Sequence, residues 1–222
     1  MDTSGHRARL RRRFLDGGLK GFQDYEVIEM LLAIGTPRRD CKPAAKAALK
    51  QFGSLRAVLE ADPEQLQTIP GIGGNNIFGL KLIQAVARRY LEDRIIGKPF
   101  LRTSDDVIQF VRHTMRDQNR ERFMCLYLNG QNQILKSRIL FEGTLTASAV
   151  YPREVIKSAL AENAAALVFV HNHPSGNPNP SSDDLRITKK LKEAASAMDI
   201  SVHDHLIIAG NETYSFADHG LI

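Results

Sequence analysis

Apolar positions along the chain fall into two regimes. Before about residue 95 they recur at helical spacing. Tyr25, Val27, Ile28, Met30, Leu31, Leu32 and Ile34 predict a helix over residues 23–34, packed on more than one side and stopped by Gly35 and Pro37. An Ala-rich helix is expected over about 42–51, ending near Gly53. Ser54 is placed to cap a third helix, and Asp62-Pro63 opens a fourth with its proline at the first helical position. Beyond Ile69-Pro70-Gly71-Ile72-Gly73-Gly74, a helical run continues through Ile77, Leu80, Ile83, Val86, Ala87 and Tyr90. Gly97 and Pro99 mark residues 91–102 as a linker between a region 1–95 and a region 101–222.

The second regime mixes periods. Thr103 or Ser104 caps a helix to about Met115. Residues 123–128 and 133–141 predict strands joined at Asn129-Gly130, with the following Gln-Asn lengthening the turn. Tyr151-Pro152 opens a helix to about Glu162, Leu167-Val168-Phe169-Val170 predicts a short buried strand, and residues 182–198 an amphipathic helix. Residues 200–209 and 213–216 supply the last strands. Strands that pair locally and then interleave with helices indicate a mixed α+β or α/β sheet.

The candidate chemistry lies just past the buried strand, in His171-Asn172-His173-Pro174-Ser175-Gly176, with Ser181, Asp183 and Asp184 downstream. Side chains two apart on a strand share a face. Extended geometry carried on to His173 therefore sets both imidazoles side by side at the strand's carboxyl end. Two imidazoles and one carboxylate form a zinc set that leaves a fourth position open. Asp184, ten intervening residues after His173, is the carboxylate of choice; Pro174, Gly176, Pro178 and Pro180 give the loop a stiff path back. Ser181 and Asp184 also have the spacing of a capping box, a role compatible with metal ligation.

At this spacing, His171-Asn172-His173-Pro174, Ser181 and Asp184 resemble the JAMM signature of JAB/MPN metalloproteases. The Asn between the histidines and the Pro-Ser-Gly after them resemble the RadC proteins in particular. The resemblance implies a JAB/MPN domain of cytidine-deaminase-like mixed-sheet fold, with His171, His173 and Asp184 as ligands of Zn2+. It also implies Glu121 as general acid/base and Ser181 as a hydroxyl stabilising the tetrahedral intermediate. Glu142 and Glu154 are alternatives to Glu121. The implied activity is hydrolysis of an amide or isopeptide bond in a peptide of unspecified sequence. The loop 147–151 and the Pro-rich loop are placed to line its cleft.

Charge adds a second theme. The net charge of +5 resides in the front of the chain: residues 1–95 hold 16 Lys and Arg against 11 Asp and Glu, and residues 96–222 hold 14 of each. The basic cluster His6-Arg7-Ala8-Arg9-Leu10-Arg11-Arg12-Arg13 is either an arm that touches phosphate or a solvated helix. The Pro-Gly-Ile-Gly turn between two helices resembles a helix-hairpin-helix unit, in which the amides of Gly71, Gly73 and Gly74 would meet DNA phosphates. A tight turn in a small bundle needs the same glycines.

Two functions from different classes follow: a zinc-dependent hydrolase held near DNA, or a DNA-binding repair or recombination accessory protein with a structural or idle metal site. Zinc deamination is disfavoured because the paired cysteines and His-x-Glu of that chemistry are missing. Cys41 and Cys125 are far apart, no run is long and apolar enough for a membrane span, and the expected compartment is the cytoplasm. His203-Asp204-His205 is a second alternating pair, with His203 and His205 expected on one strand face. His205 or Asp204 is a candidate for orienting a ligand imidazole.

Overall fold

In the computed structural model of the chain the described residues are 3–36, 38–100, 104–116, 118, 120–143 and 150–222. Pro37, Thr103 and residues 147–149, singled out from sequence, lie outside them. The chain divides into two compact units, Met1–Ala87 and Arg88–Ile222.

Helices α1 (Thr3–Gly17), α2 (Asp24–Gly35), α3 (Lys42–Phe52), α4 (Leu55–Glu60), α5 (Pro63–Gln67) and most of α6 (Gly74–Ile95) make the first unit. Its core joins Ile28 and Leu32 to Ala44, Ala45 and Ala48, with Val58, Leu66, Ile77 and Leu80 closing it. The punctuation is local. Gly53 takes φ +83° at the end of α3, where a side chain would be strained. Ser54 Oγ accepts the Ala57 amide at 3.1 Å to cap α4. Pro63 opens α5, although the Asp62 side chain makes no cap bond. Of the basic cluster, Arg13 pairs with Glu26 at 2.5 Å and lies 3.9 Å from the Phe22 ring centre, and Arg7 donates to the Arg39 carbonyl. These two arginines fasten α1 down.

Helices α2 and α6 meet backbone to backbone. A Cβ on Gly35 would lie 1.8 Å from the Asn75 carbonyl oxygen, and one on Gly79 would lie 2.1 Å from that of Leu31.

The second unit is a five-stranded mixed sheet: β1 (Arg122–Leu128), β2 (Ile134–Glu142), β3 (Ala166–Asn172), β4 (Ser201–Ala209) and β5 (Glu212–Ser215), in the order β2-β1-β3-β4-β5. The β3–β4 pair is parallel and the others antiparallel. Period-two alternation sorts the side chains. Met124, Leu126, Leu128, Val168, Val170, Leu206 and Ile208 pack against Val107, Phe110, Val111 and Met115 of α7 (Ser104–Met115). On the other face Phe123, Cys125, Tyr127, Leu167 and Phe169 meet Val155 and Ala159 of α8 (Pro152–Ala161) and Ile187, Leu191 and Ala195 of α9 (Ser182–Ser196). His171 is the next residue on that face after Phe169, so the sheet's own periodicity delivers it beneath α9.

One sequence expectation changes shape here. Leu91 and Ile95 pack into this unit's core, Gly97 N donates to Ile134 O at 2.8 Å, and Phe100 N donates to Asn132 O at 2.9 Å. Much of the stretch read as a linker is thereby bound to the sheet. The Asn129-Gly130 pair begins a longer loop, because Asn129 Oδ1 accepts the amides of Gln131 and Gln133 while Asn132 takes the positive φ of +57°. Among the described residues no helix is long and apolar enough to cross a membrane.

The contact of α2 with α6 yields a test. Gly35→Ala or Gly79→Ala should destabilise the protein by about 1–3 kcal/mol, the usual cost of overpacking. Gly17→Ala, whose Cβ would meet open space, should be close to neutral in the same denaturant melts.

Candidate metal centre

Strand β3 ends at Asn172, but its ladder runs one residue further: His173 N donates to Ile208 O at 2.9 Å. This fixes His173 beside His171, and their Nε2 atoms lie 2.9 Å apart. Gly176, at φ +78°, turns the loop, and its amide donates to the His173 carbonyl at 3.0 Å. The loop then brings the Asn177 carbonyl to 2.8 Å from His173 Nδ1. A carbonyl only accepts, so that nitrogen carries the hydrogen and the neutral ring presents a bare Nε2.

Helix α9 supplies the third group through its N-terminus. Ser181 Oγ accepts the Asp184 amide at 3.1 Å, while Asp184 Oδ2 accepts the Ser181 amide at 2.7 Å and the Ser181 hydroxyl at 2.6 Å, a complete capping box. Its carboxylate simultaneously faces the imidazoles, with Oδ1 3.1 Å from His171 Nε2 and Oδ2 3.3 Å from His173 Nε2. His171 is 2% exposed and Asp184 6%. Burial alone would raise the Asp184 carboxyl, but the hydrogen bonds that His171 and His173 donate once their rings take up a proton, with that from Ser181, outweigh it and hold the group well below the usual carboxylate range. The hydrogen bond to Asp184 raises His173 above 6.5, burial opposes it, and the Asn177 carbonyl and the charge of Glu121 add to the rise.

The donor set fits zinc. Ligands about 2.0–2.1 Å from a tetrahedral zinc lie roughly 3.3–3.4 Å from one another. The two Nε2 atoms are 2.9 Å apart and the Asp184 carboxylate reaches one through Oδ1 at 3.1 Å and the other through Oδ2 at 3.3 Å, separations of the size that ligands of one zinc ion require. Among the described residues, His171, His173 and Asp184 form the group of His, Cys, Asp or Glu side chains able to share an ion.

Glu121 lies half-buried immediately before β1, its carbonyl accepting the Gly143 amide at 2.9 Å, and its charge acts on His173. Asn172, between the two histidines, points to the opposite face and is 0% exposed. Its Oδ1 accepts the Arg122 amide at 2.7 Å, and its Nδ2 donates to the Gln118 and Arg120 carbonyls at 3.3 and 3.1 Å. Asn172 thus straps the segment bearing Glu121 to the strand bearing the histidines. Sequence reading gave it no such task, although a polar residue inside a fully buried strand was the available signal.

Other expected residues fall elsewhere. Glu142 pairs with Arg122, Glu154 with Arg153, and Asp183 with Arg186, none of them in the cluster. The Ser181 hydroxyl, expected to donate toward a reacting group, donates its hydrogen to Asp184. A bulge beside Leu167 and Val168 breaks the alternation expected of β4. His203 turns to Asn132 Oδ1 at 2.6 Å, while His205 reaches His171 Nδ1 at 2.8 Å. Asp204 accepts from Ser215 Oγ and from the amides of His205 and Ala217, which ties down the C-terminal segment. In the first unit, Gly71 takes φ +89° at the glycine-rich turn, and the Gly73 amide donates to Asn76 Oδ1 at 2.9 Å. Asn76 Nδ2 donates to Gly71 O at 2.7 Å, so the Gly73 amide is already used within the turn.

The comparisons with known proteins identify the same domain. Residues 101–221 match the RadC-like JAB domain, and residues 3–77 match the UPF0758 N-terminal family. The first of these matches covers the mixed sheet and the cluster at the end of its central strand, and the chain belongs to the RadC-like JAB domain family. A UPF0758 protein of Ruegeria pomeroyi is 38% identical over 217 residues, spanning 98% of this chain and 97% of its own length.

A pH dependence follows. A metal must displace the proton that Asp184 favours on His173, whose pKa is raised above 6.5. Zinc affinity, measured by chelator competition, should hold above that raised pKa and fall by about tenfold per pH unit below it. In the metal-free protein the sign is opposite: with Asp184 ionised, the raised pKa of His173 contributes stability that is fully present below 6.5 and is lost as pH rises through the raised value.

Proposed function

We propose that the chain is a zinc-dependent hydrolase of amide or isopeptide bonds. The observation that carries the reading is the convergence of two imidazole Nε2 atoms and one buried carboxylate, 2.9–3.3 Å apart, beside the charge of Glu121. Zinc bound there would polarise a carbonyl and lower the pKa of a water. The protein's own groups have separate tasks. His171, His173 and Asp184 hold the ion. Ser181 holds the Asp184 carboxylate through its amide and its hydroxyl. Glu121 takes a proton from the attacking water and returns it to the leaving amine, which needs a carboxylate near the reacting atoms that is not itself a metal ligand. Asn172 keeps that carboxylate in register by binding the main chain on both sides of it.

Glu121→Gln should retain about one zinc per chain and lose about 100-fold or more of peptide or isopeptide hydrolysis, the usual scale for removing a general base. His173→Ala should lose stoichiometric zinc. Full activity in the first variant, or stoichiometric zinc in the second, would contradict these roles.

A second reading concerns the first unit, where a cleft of about 710 Å3 is lined by Arg38 and Arg39 together with the turn from Gly71 to Asn76. Two cations and the start of α6 on one cleft favour a nucleic-acid phosphate, bound without regard to base sequence and with strong salt dependence. This is the repair-accessory alternative, and it is compatible with the hydrolase. The double variant Arg38→Ala/Arg39→Ala should weaken duplex binding by the full-length protein and flatten its salt slope by about two charges' worth. An unchanged slope would remove this cleft from consideration.

A further inference from the structure

Behind His171, on the side away from the converging ligand atoms, three buried groups stand in file. His171 Nδ1 lies 2.8 Å from His205 Nε2, and His205 Nδ1 lies 2.6 Å from Thr188 Oγ1. The Thr188 hydroxyl donates to the Asp184 main-chain carbonyl at 2.6 Å. Thr188 is 2% exposed and His205 0%, so water offers neither of them another partner.

The direction of every hydrogen bond in the file follows from its far end. A carbonyl oxygen accepts only, so the single hydroxyl hydrogen of Thr188 goes to Asp184 O. Thr188 Oγ1 then accepts from His205 Nδ1–H. His205 is fully buried, Phe123, Phe169 and Phe216 enclose its ring, and its two nitrogens face the Thr188 hydroxyl and the His171 ring with no carboxylate among them, so the ring is neutral and carries one hydrogen. Its Nε2 is therefore bare and accepts from His171 Nδ1–H. His171 Nε2 is left with a lone pair facing His173 and Asp184.

We propose that Thr188 is a positioning residue: through His205 it fixes the tautomer of His171 that presents a lone pair to the metal. The reversed file would leave Thr188 Oγ1 and Asp184 O 2.6 Å apart with no hydrogen between them, and would put an N–H on His171 among the ligand atoms. Thr188 follows Asp184 by one helical turn, so α9 supplies both a ligand and the group that orients another ligand from behind. The functional meaning rests on the metal reading of the site; the tautomer is a property of the metal-free protein.

The test uses the full chain. Ring 15N resonances of the metal-free protein at mildly alkaline pH should show His205 and His171 as Nδ1–H tautomers in the wild type and in Thr188→Ser. Thr188→Val should lose that preference, and its zinc affinity, read by chelator competition, should fall about 10- to 100-fold, as for other groups that orient a ligand. Thr188→Ser should stay within a few-fold of the wild type. A wild-type His205 in the Nε2–H form would overturn the proposal. So would a Thr188→Val protein that loses zinc with its ring tautomers unchanged, since Thr188 would then act by packing alone. A wild type with the expected tautomers but no zinc binding would leave the tautomer assignment standing and overturn the metal reading instead.

Discussion

One carboxylate sets the position of everything at the candidate site. Asp184 closes the N-terminus of α9 by accepting the Ser181 amide and hydroxyl, and in the same conformation it faces both imidazoles at the end of β3. Helix capping by such a group contributes about 1 kcal/mol and depends on a fixed rotamer at the third helical position. The demands of the helix and of the ion are therefore met by one side-chain geometry. Because Ile187, Leu191 and Ala195 bind α9 to the same sheet face as Phe169, the helix cannot slide without losing its core.

Around that carboxylate the imidazoles are held from behind by groups that are hard to move. His173 is fixed by β4 through its amide and by Asn177 through its ring. His171 is fixed by His205, and His205 by Thr188. Asn172, pointing the other way, brings in the segment with Glu121. Alternation along one strand thus divides two tasks: odd positions turn toward α9 and the cluster, and the even position between them anchors the neighbouring segment. Preorganisation of this kind is what a catalytic metal site requires of its surroundings.

The parts of this arrangement that sequence could reach are those governed by short-range periods. Two histidines at strand spacing, a cap at Ser181 and an acid three residues later are local patterns, and the protein places them where those patterns direct. The mixed sheet, too, follows from locally paired strands succeeded by βαβ alternation. What could not be read depends on contacts between elements distant in the chain. The bulge in β4 separates His203 from His205 because two strands differ in register, which no single strand reveals. Thr188 looks like an ordinary helical threonine until β4 is laid beside α9. Gly35 likewise acquires its meaning only when the glycine-rich turn and α2 come together.

In the first unit charge serves more than one end. Arg7 and Arg13 belong to a cluster that suggests a polyanion, yet both spend their charge on fastening α1, whereas Arg38 and Arg39 reach the cleft at the glycine-rich turn from a loop far away in sequence. The central claim, however, lies in the second unit, and X-ray absorption at the zinc edge of the loaded full-length protein tests it most directly. The account predicts a four-coordinate shell of nitrogen and oxygen at about 2.0–2.1 Å with the outer scattering of two imidazole rings. An oxygen-only shell without imidazole scattering would contradict it.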